Sequence, residues 1–582
     1  MRSERGLKLL FIAIAALVSF AVYANTLGNG FVYDDHLQIE KNGWLASFAS
    51  VPEILTSHVY GFKPELKVTG SYRPLFMLVY LFEHAAFGVR PWGWHLVNVA
   101  LHAFSVIMVF LIADRMIRKR REGAGVPTVG LVAPFIAALL FAAHPAHNEP
   151  VAWVACVPEL SFTALYLAAL YISTRSERGW AIGPAILYFS ALLFKETAVT
   201  LPLVVFAYDR LASKSDTGYV RRYLPFGAAL ALYLILRRSF LGGLAPVSTM
   251  HPYLDAGKTL INAVIFFAEY IRALVFPYRF EPFRVFDPAV STAEPRFLFG
   301  ALVTVALMAA IIFYRKKSPL SAFSLFFFSI AILPALYIPA LSQNPFAERQ
   351  VYLPSAALAI GAAAIASRAI GENVTRAATA LVILLAVTAV FSYATIKRNF
   401  AWHDDLSIWT ASAVSQEGNY LASHNIAVER AIAGDVDAAV FDYKEAIRMN
   451  SERRFPDELT LVLSNLHLGR IYAQKGLHKE AAERFSEAVR IKPDLPEARL
   501  RLALALESSG DLKGAALEYN NALALSWGRD DLKTIYRNLG RALAGLGLNE
   551  DAAMSLEEAL KLDPGDAETA RALALARKGG AR

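Results

Sequence analysis

Residues 91–121 read PWGWHLVNVALHAFSVIMVFLIADRMIRKRR. Pro91 to Ile112 is apolar and long enough to cross a bilayer, and it stops at Arg115, Arg118, Lys119, Arg120 and Arg121. Lysine and arginine clusters beside a span stay in the cytoplasm, so the arginine end faces in and the Pro91 end faces out. The rest of the chain agrees with a membrane reading. Its 582 residues are 55% hydrophobic and 12% aromatic, with a mean hydropathy of +0.38, too apolar for a soluble protein of this size and long enough for more than one domain. The net charge of +8 lies in short clusters between apolar runs, a topology signal rather than a nucleic-acid footprint. The single cysteine, Cys156, excludes an intrachain disulfide and a cysteine metal cage. His95, Asn98 and His102 share one face of the opening helix, but the two histidines stand about 10 Å apart along it, too far for one metal ion. Packing or hydrogen bonding within a bundle is their expected role.

Towards the amino terminus, Met1 to Lys8 is a basic head and Leu9 to Ala24 is apolar, a pattern shared by a cleaved signal peptide and a first transmembrane helix. We read a retained helix. It is followed by Phe31-Val32-Tyr33-Asp34-Asp35-His36, in an external loop that runs to Tyr72 and also carries Glu40 and Trp44. Adjacent carboxylates at the mouth of an apolar bundle mark a functional site, with a solvated loop as the alternative. Pro74 to Phe87 is short and interrupted by Glu83 and His84, which predicts an interfacial amphipathic helix.

Towards the carboxyl terminus, further spans are predicted at 131–143, 151–172, 180–194, 198–211, 224–236, 297–313, 321–340, 351–366 and 378–393, about eleven in all. Cations near Arg178, Lys214, Arg315 and Arg368 set their directions. The run Leu260 to Phe276 holds Glu269 and Arg272 and is read as external and interfacial; were it a span, the parity would change. This path brings the turn His144-Pro145-Ala146-His147-Asn148-Glu149-Pro150, the pair Lys195-Glu196 and the stretch Ser342 to Arg349 to the same external face as Asp34 and Asp35.

At Lys397 the composition becomes Ala-rich and charged. Gly434, Gly476, Gly510 and Gly547 lie 42, 34 and 37 residues apart. Each precedes alanines five and twelve residues on: Ala439, Ala481, Ala515 and Ala552, then Ala446, Ala488, Ala522 and Ala559. Tyr443, Phe485, Tyr519 and Leu556 fill the slot between them. This is the tetratricopeptide pattern of paired helices packed through small residues. The predicted fold is therefore all-α: a multispanning transmembrane bundle over 1–396, then a tetratricopeptide α-solenoid of about four repeats over 397–582.

Taken together the motifs resemble the tetratricopeptide-containing transmembrane O-mannosyltransferases and their bacterial relatives, among the multispanning glycosyltransferases of the C superfamily. The resemblance runs through Tyr33-Asp34-Asp35, Tyr72-Arg73-Pro74-Leu75, His95-Leu96-Val97-Asn98 with His102, and His144-Pro145-Ala146-His147. It continues through Lys195-Glu196 and Ala347-Glu348-Arg349-Gln350-Val351-Tyr352-Leu353-Pro354-Ser355 to the repeats. It implies a sugar, mannose in that family, moved with inversion from a polyprenyl-phosphate carrier to a protein hydroxyl on the external face. A non-catalytic membrane scaffold for the repeats is the second reading and a transporter a third.

Such a transfer needs a carboxylate to take the acceptor proton and cations to hold the leaving phosphate. Asp34 or Asp35 suits the first role. Arg349, with its bidentate fork, and Lys195, as a point charge, suit the second. Their alternatives are a local pair with Glu348 and a snorkelling anchor. His144, His147 and Glu149 form either a donor- or acceptor-contacting turn or a helix cap, and no third ligand accompanies the two histidines, so no metal site is indicated and a divalent ion stays open. Tyr72 and Arg73 most simply end the first external loop at the interface; the resemblance implies instead that Arg73 contacts the donor phosphate and that Glu196, Glu348 and Tyr352 join the substrate-binding set. Asn373-Val374-Thr375 matches a glycosylation acceptor but falls on the cytoplasmic side. The expected location is a bacterial inner membrane with periplasmic repeats, or a lumenal equivalent.

Overall fold

The computed structural model describes residues 2–63, 71–118, 127–175, 180–213, 218–243, 251–338, 345–525 and 528–580. Lys119, Arg120, Arg121, Arg178, Lys214 and Ser342 to Asn344 lie outside them. Every described element is helical, and the chain forms two compact units, Met1–Ala411 and Ser412–Arg582.

In the first unit, prolines Pro74, Pro91, Pro127, Pro295 and Pro319 open their helices, where the missing N–H removes no hydrogen bond. The helix Pro91–Arg118 is the hub: Val99, Val106, Val109, Ile112 and Ala113 are fully buried, and it packs against Arg2–Tyr23, Pro127–Ala142, Val157–Arg175 and Tyr352–Ile370. At its cationic end Arg118 pairs with Glu4 and Asp114, and Lys8 meets Asp114 at 2.6 Å. Peripheral helices keep apolar faces outward, as Leu298, Phe299, Leu302, Val305 and Ile312 do along Pro295–Lys317. An exposed apolar stripe of that length on a 23-residue helix is the lipid-facing surface of a multi-pass membrane protein.

The described residues contain eight helices long and apolar enough to cross a membrane, or nine if Val129–Ala142 and Pro145–Ala152, bent by 50°, form one span. This is fewer than the eleven expected. Ile182–Phe194 has 13 residues, about 20 Å of helix, short of a bilayer core. The stretch 198–211 breaks into a 3-10 turn at Glu196–Thr200, a seven-residue α-helix at Leu201–Ala207 and a π-turn at Tyr208–Ser213. The break begins at Lys195, whose backbone is extended. Ala256–Val275 is a 20-residue helix that carries Lys258, Glu269 and Arg272 and is not among the eight. It packs on Pro295–Lys317 so closely that a Cβ on Gly300 would lie 2.7 Å from the Val264 carbonyl oxygen.

The composition change at Lys397 precedes the end of the first unit. Arg398 donates to the carbonyls of Pro145, Pro277 and Arg279 at 3.0, 2.6 and 2.9 Å, and Trp402 donates to Asn148 at 2.5 Å, which ties this segment to the membrane unit.

The second unit stacks helix pairs Tyr420–Ile432 with Val436–Ser451, Glu458–Gln474 with His478–Ile491, Pro496–Ser509 with Leu512–Leu523, and Arg529–Gly545 with Asn549–Leu562, followed by Ala567–Gly580. Gly434, Gly476, Gly510 and Gly547 make the four turns at φ of 84°, 76°, 89° and 78°, a conformation that a Cβ disfavours. All eight repeat alanines are buried, as are Tyr443, Phe485, Tyr519 and Leu556.

Candidate active site

The turn after the first helix is built around a strained residue. Tyr33 has φ of 53°, the only positive value at a non-glycine position among the described residues, at a cost of roughly 1–2 kcal/mol. The neighbouring carboxylate braces the turn on either side of it. Asp35 is fully buried; its Oδ2 accepts the Val32 amide at 3.0 Å and its Oδ1 accepts the Ala155 amide at 2.8 Å. Asp34, just before it in the chain, is half-buried and accepts no hydrogen bond from a described residue. Burial pushes its carboxyl up to about 6, with the Arg349 charge pulling the other way. Two aspartates that read alike in sequence are thus different groups: one locks the turn and one is displayed by it.

Around Asp34 lies a ladder of alternating charge. The Glu149 carboxylate accepts the Arg349 amide at 2.9 Å and pairs with its guanidinium. Arg349 Nε lies 3.7 Å from Glu159 Oε1, and the same oxygen takes Lys195 Nζ at 2.6 Å. The Arg349 guanidinium stands 5.4 Å from the centre of the Trp153 ring. Arg73 grips Glu196 bidentately at 2.8 and 3.1 Å. Burial works to raise the Glu196 carboxyl, but the Arg73 charge and hydrogen bonds outweigh it and hold the group at about 2. All these groups sit at helix ends on the side opposite Arg118, Lys8 and Asp114. Their cations are pre-paired, so the site presents guanidinium and ammonium groups whose positions are fixed by carboxylates.

The segment 149–159 is the hub of this arrangement, since Glu149, Trp153, Ala155 and Glu159 touch Arg349, Asp35 and Lys195. The hub helix anchors it: Asn98 donates to the Trp153 carbonyl at 2.9 Å, and His95 bonds the Gly30 carbonyl at 3.3 Å. His102 donates from Nε2 to the Ala142 carbonyl at 3.0 Å and receives the Tyr352 hydroxyl at 2.8 Å.

Asp34, Arg73, Glu149, Lys195, Glu196 and Arg349 are therefore brought together. Four other expected substrate contacts bond to partners outside this ladder. His144 donates to the Leu274 carbonyl at 2.9 Å while its Nδ1 caps the Ala146 amide at 3.1 Å, and His147 bonds Ser355 at 2.7 Å. Tyr352 is buried on His102, and Glu348 is buried 3.6 Å from Arg398. The 3-10 turn Glu348–Val351 explains the last difference, because it aims adjacent residues 348 and 349 in different directions. Sequence reasoning missed Glu159, although an acid inside a run read as a span was a signal for it. Among the described residues no group of three or more His, Cys, Asp or Glu is placed to hold a metal ion.

Residues 469–510 match the family described as TPR repeat, and residues 534–566 match the family described as tetratricopeptide repeat. Protein O-mannosyl-transferase Tmtc1 of Drosophila melanogaster is 36% identical over 34% of this chain and 23% of its own length. Protein O-mannosyl-transferase TMTC3 of Mus musculus is 22% identical over 96% of this chain and 64% of its own length. The crystal structure of MamA protein shares 22% identity over 28% of this chain and 85% of that one, at a TM-score of 0.25. This chain spans less than two thirds of the length of the curated relatives it matches. The similarity to TMTC3 thus runs along 96% of the residues, and the two repeat matches fall inside the second unit.

Proposed function

We propose that this chain is a membrane glycosyltransferase that moves a sugar from a polyprenyl-phosphate carrier to a hydroxyl of a protein acceptor on the external face of the membrane. Mannose is the sugar, following the names of its relatives. The observation that carries the reading is Asp34, a carboxylate without a hydrogen-bond partner among the described residues, beside a ladder of fixed cations at one end of an apolar bundle. Asp34 takes the proton of the acceptor hydroxyl as its oxygen bonds to the anomeric carbon from the face opposite the carrier. The bond from that carbon to the phosphate oxygen breaks, and its electron pair leaves with the polyprenyl phosphate. Arg349 and Lys195 meet the added negative charge; Glu149 and Glu159 hold them at their posts. Arg73, fixed on Glu196, supplies a third cation for the donor. The repeats bind the acceptor protein, and the cell places them in the periplasm of a bacterium or an equivalent lumen.

Intact-mass analysis of external proteins from cells with and without this chain tests the proposal. Hexose increments that vanish with the chain are expected, and their return on complementation with wild type but not with Asp34→Asn. Unchanged masses together with loss of a co-purifying protein would favour the membrane scaffold.

A further inference from the structure

The turn that displays Asp34 is held from outside by the segment that follows the last long helix. Asp405 opens the helix Asp405–Ser415, and its carboxylate reaches the turn with both oxygens. Oδ1 accepts the Tyr33 amide at 2.8 Å, and Oδ2 lies 2.7 Å from His36 Nε2. Trp409, one turn later on the same helix, meets the Tyr33 ring edge-on at 5.4 Å and stacks on Phe283 at 4.6 Å. Gly30 donates its amide to the His403 carbonyl at 2.9 Å. Residues 403–409 thus grip 30–36 at three points, and the strained Tyr33 is the point taken by both a hydrogen bond and a ring contact.

Tyr33 has no reason of its own to remain at positive φ, since a tyrosine gains nothing from that conformation. Asp405 holds the amide and Trp409 meets the ring, on the two sides of the N–Cα bond whose rotation is φ, so the two contacts together fix that angle, and the direction of Asp34 follows from it. We infer that Asp405 is a positioning residue for the transfer reaction, fixing Tyr33 in its left-handed conformation and so aiming the Asp34 carboxylate. The inference rests on the reading of Asp34 as the base.

The test uses the full chain in lipid nanodiscs, with polyprenyl-phosphate mannose and an acceptor protein as substrates. Asp405→Ala removes both bonds; Asp405→Asn keeps an oxygen for the Tyr33 amide and loses the charge facing His36. Amide hydrogen exchange over 30–36 should speed up about tenfold in the alanine variant while the repeats keep their protection. The turnover number should fall by about 10²-fold with the donor KM within a factor of two, and Asp405→Asn should fall between wild type and alanine. A change in KM alone, or exchange and turnover both unchanged, would overturn the inference. Faster exchange in a chain whose wild type transfers no sugar would overturn the transferase reading, leaving the grip on the turn as a structural fact. Should the alanine variant not fold, the asparagine variant carries the same two measurements.

Discussion

At the scale of single residues, the two aspartates divide the work by partner. A base must be ionised, and Asp34 is raised to about 6 first by burial, against the opposing pull of Arg349. The kcat/KM for transfer should therefore drop about tenfold per pH unit below roughly 6. Asp34→Asn should lower turnover by about 10²–10⁴-fold and leave no such limb, with folding intact. Asp35→Asn should instead lower yield and melting temperature, because an amide replaces an acceptor of two backbone N–H groups. Turnover near wild type in Asp34→Asn would place the base elsewhere. His36 offers a second titration. The hydrogen bond to Asp405 leads in raising it to about 9, against burial and with help from Glu40. Its folded value lies above its unfolded one, so its contribution is complete below about 6.5 and is lost as pH rises through 9. The melting temperature should decline over that window, and less so in His36→Gln. Arg349→Lys keeps the charge and loses the fork shared with Glu149, so donor use should weaken severalfold or more, read as kcat/KM at limiting donor. The pair Asp34-Asp35 stood out in the sequence as a candidate, but not which member is displayed: that depends on the φ of Tyr33 and on the amide of Ala155, far along the chain.

At the scale of elements, legibility followed the range of the interactions. The repeats were readable because glycine, alanine and aromatic positions within each pair meet one another locally, and the four turn glycines adopt the positive φ that their spacing requires. The spans were less so. Hydropathy alone does not distinguish a continuous helix from the run after Lys195, where the helix ends, a 3-10 turn follows and Pro202 starts a short new segment. The path of Ala256–Val275 against Pro295–Lys317 is set by a glycine whose neighbour is remote in sequence. Gly300→Ala would push a methyl to within 2.7 Å of the Val264 oxygen, and overpacking of this kind costs roughly 1–3 kcal/mol. A lowered melting temperature in nanodiscs is expected. Gly227→Ala, on a helix where nothing lies within 4 Å of the added carbon, is the control and should melt no lower than wild type. Equal melting of both variants would mean that the two helices can part at that point without loss.

At the scale of the whole molecule, the proposed reaction depends on which side of the membrane each part occupies. Asp34, Glu149, Lys195 and Arg349 share one end of the bundle, and the Glu4, Asp114 and Arg118 cluster marks the other. The proposed reaction requires the cationic second end to lie in the cytoplasm and the carboxylate outside, the orientation that lysine and arginine clusters favour. Eight spans and nine give the carboxyl terminus opposite sides, so the bent pair Val129–Ala142 and Pro145–Ala152 decides where the repeats stand. The proposed acceptor-binding role of the repeats requires nine spans with the amino terminus inside. We therefore expect single cysteines near Asn42 and near Gly565, each in a Cys156→Ser background, to react with a membrane-impermeant thiol reagent in intact spheroplasts. A cysteine near Lys119 should react only after the membrane is opened. Labelling near Asn42 with protection near Gly565 would mean an even number of crossings and would remove the acceptor-binding role proposed for the repeats. Protection near Asn42 would put Asp34 in the cytoplasm, away from any external acceptor, and the proposed transfer could not occur.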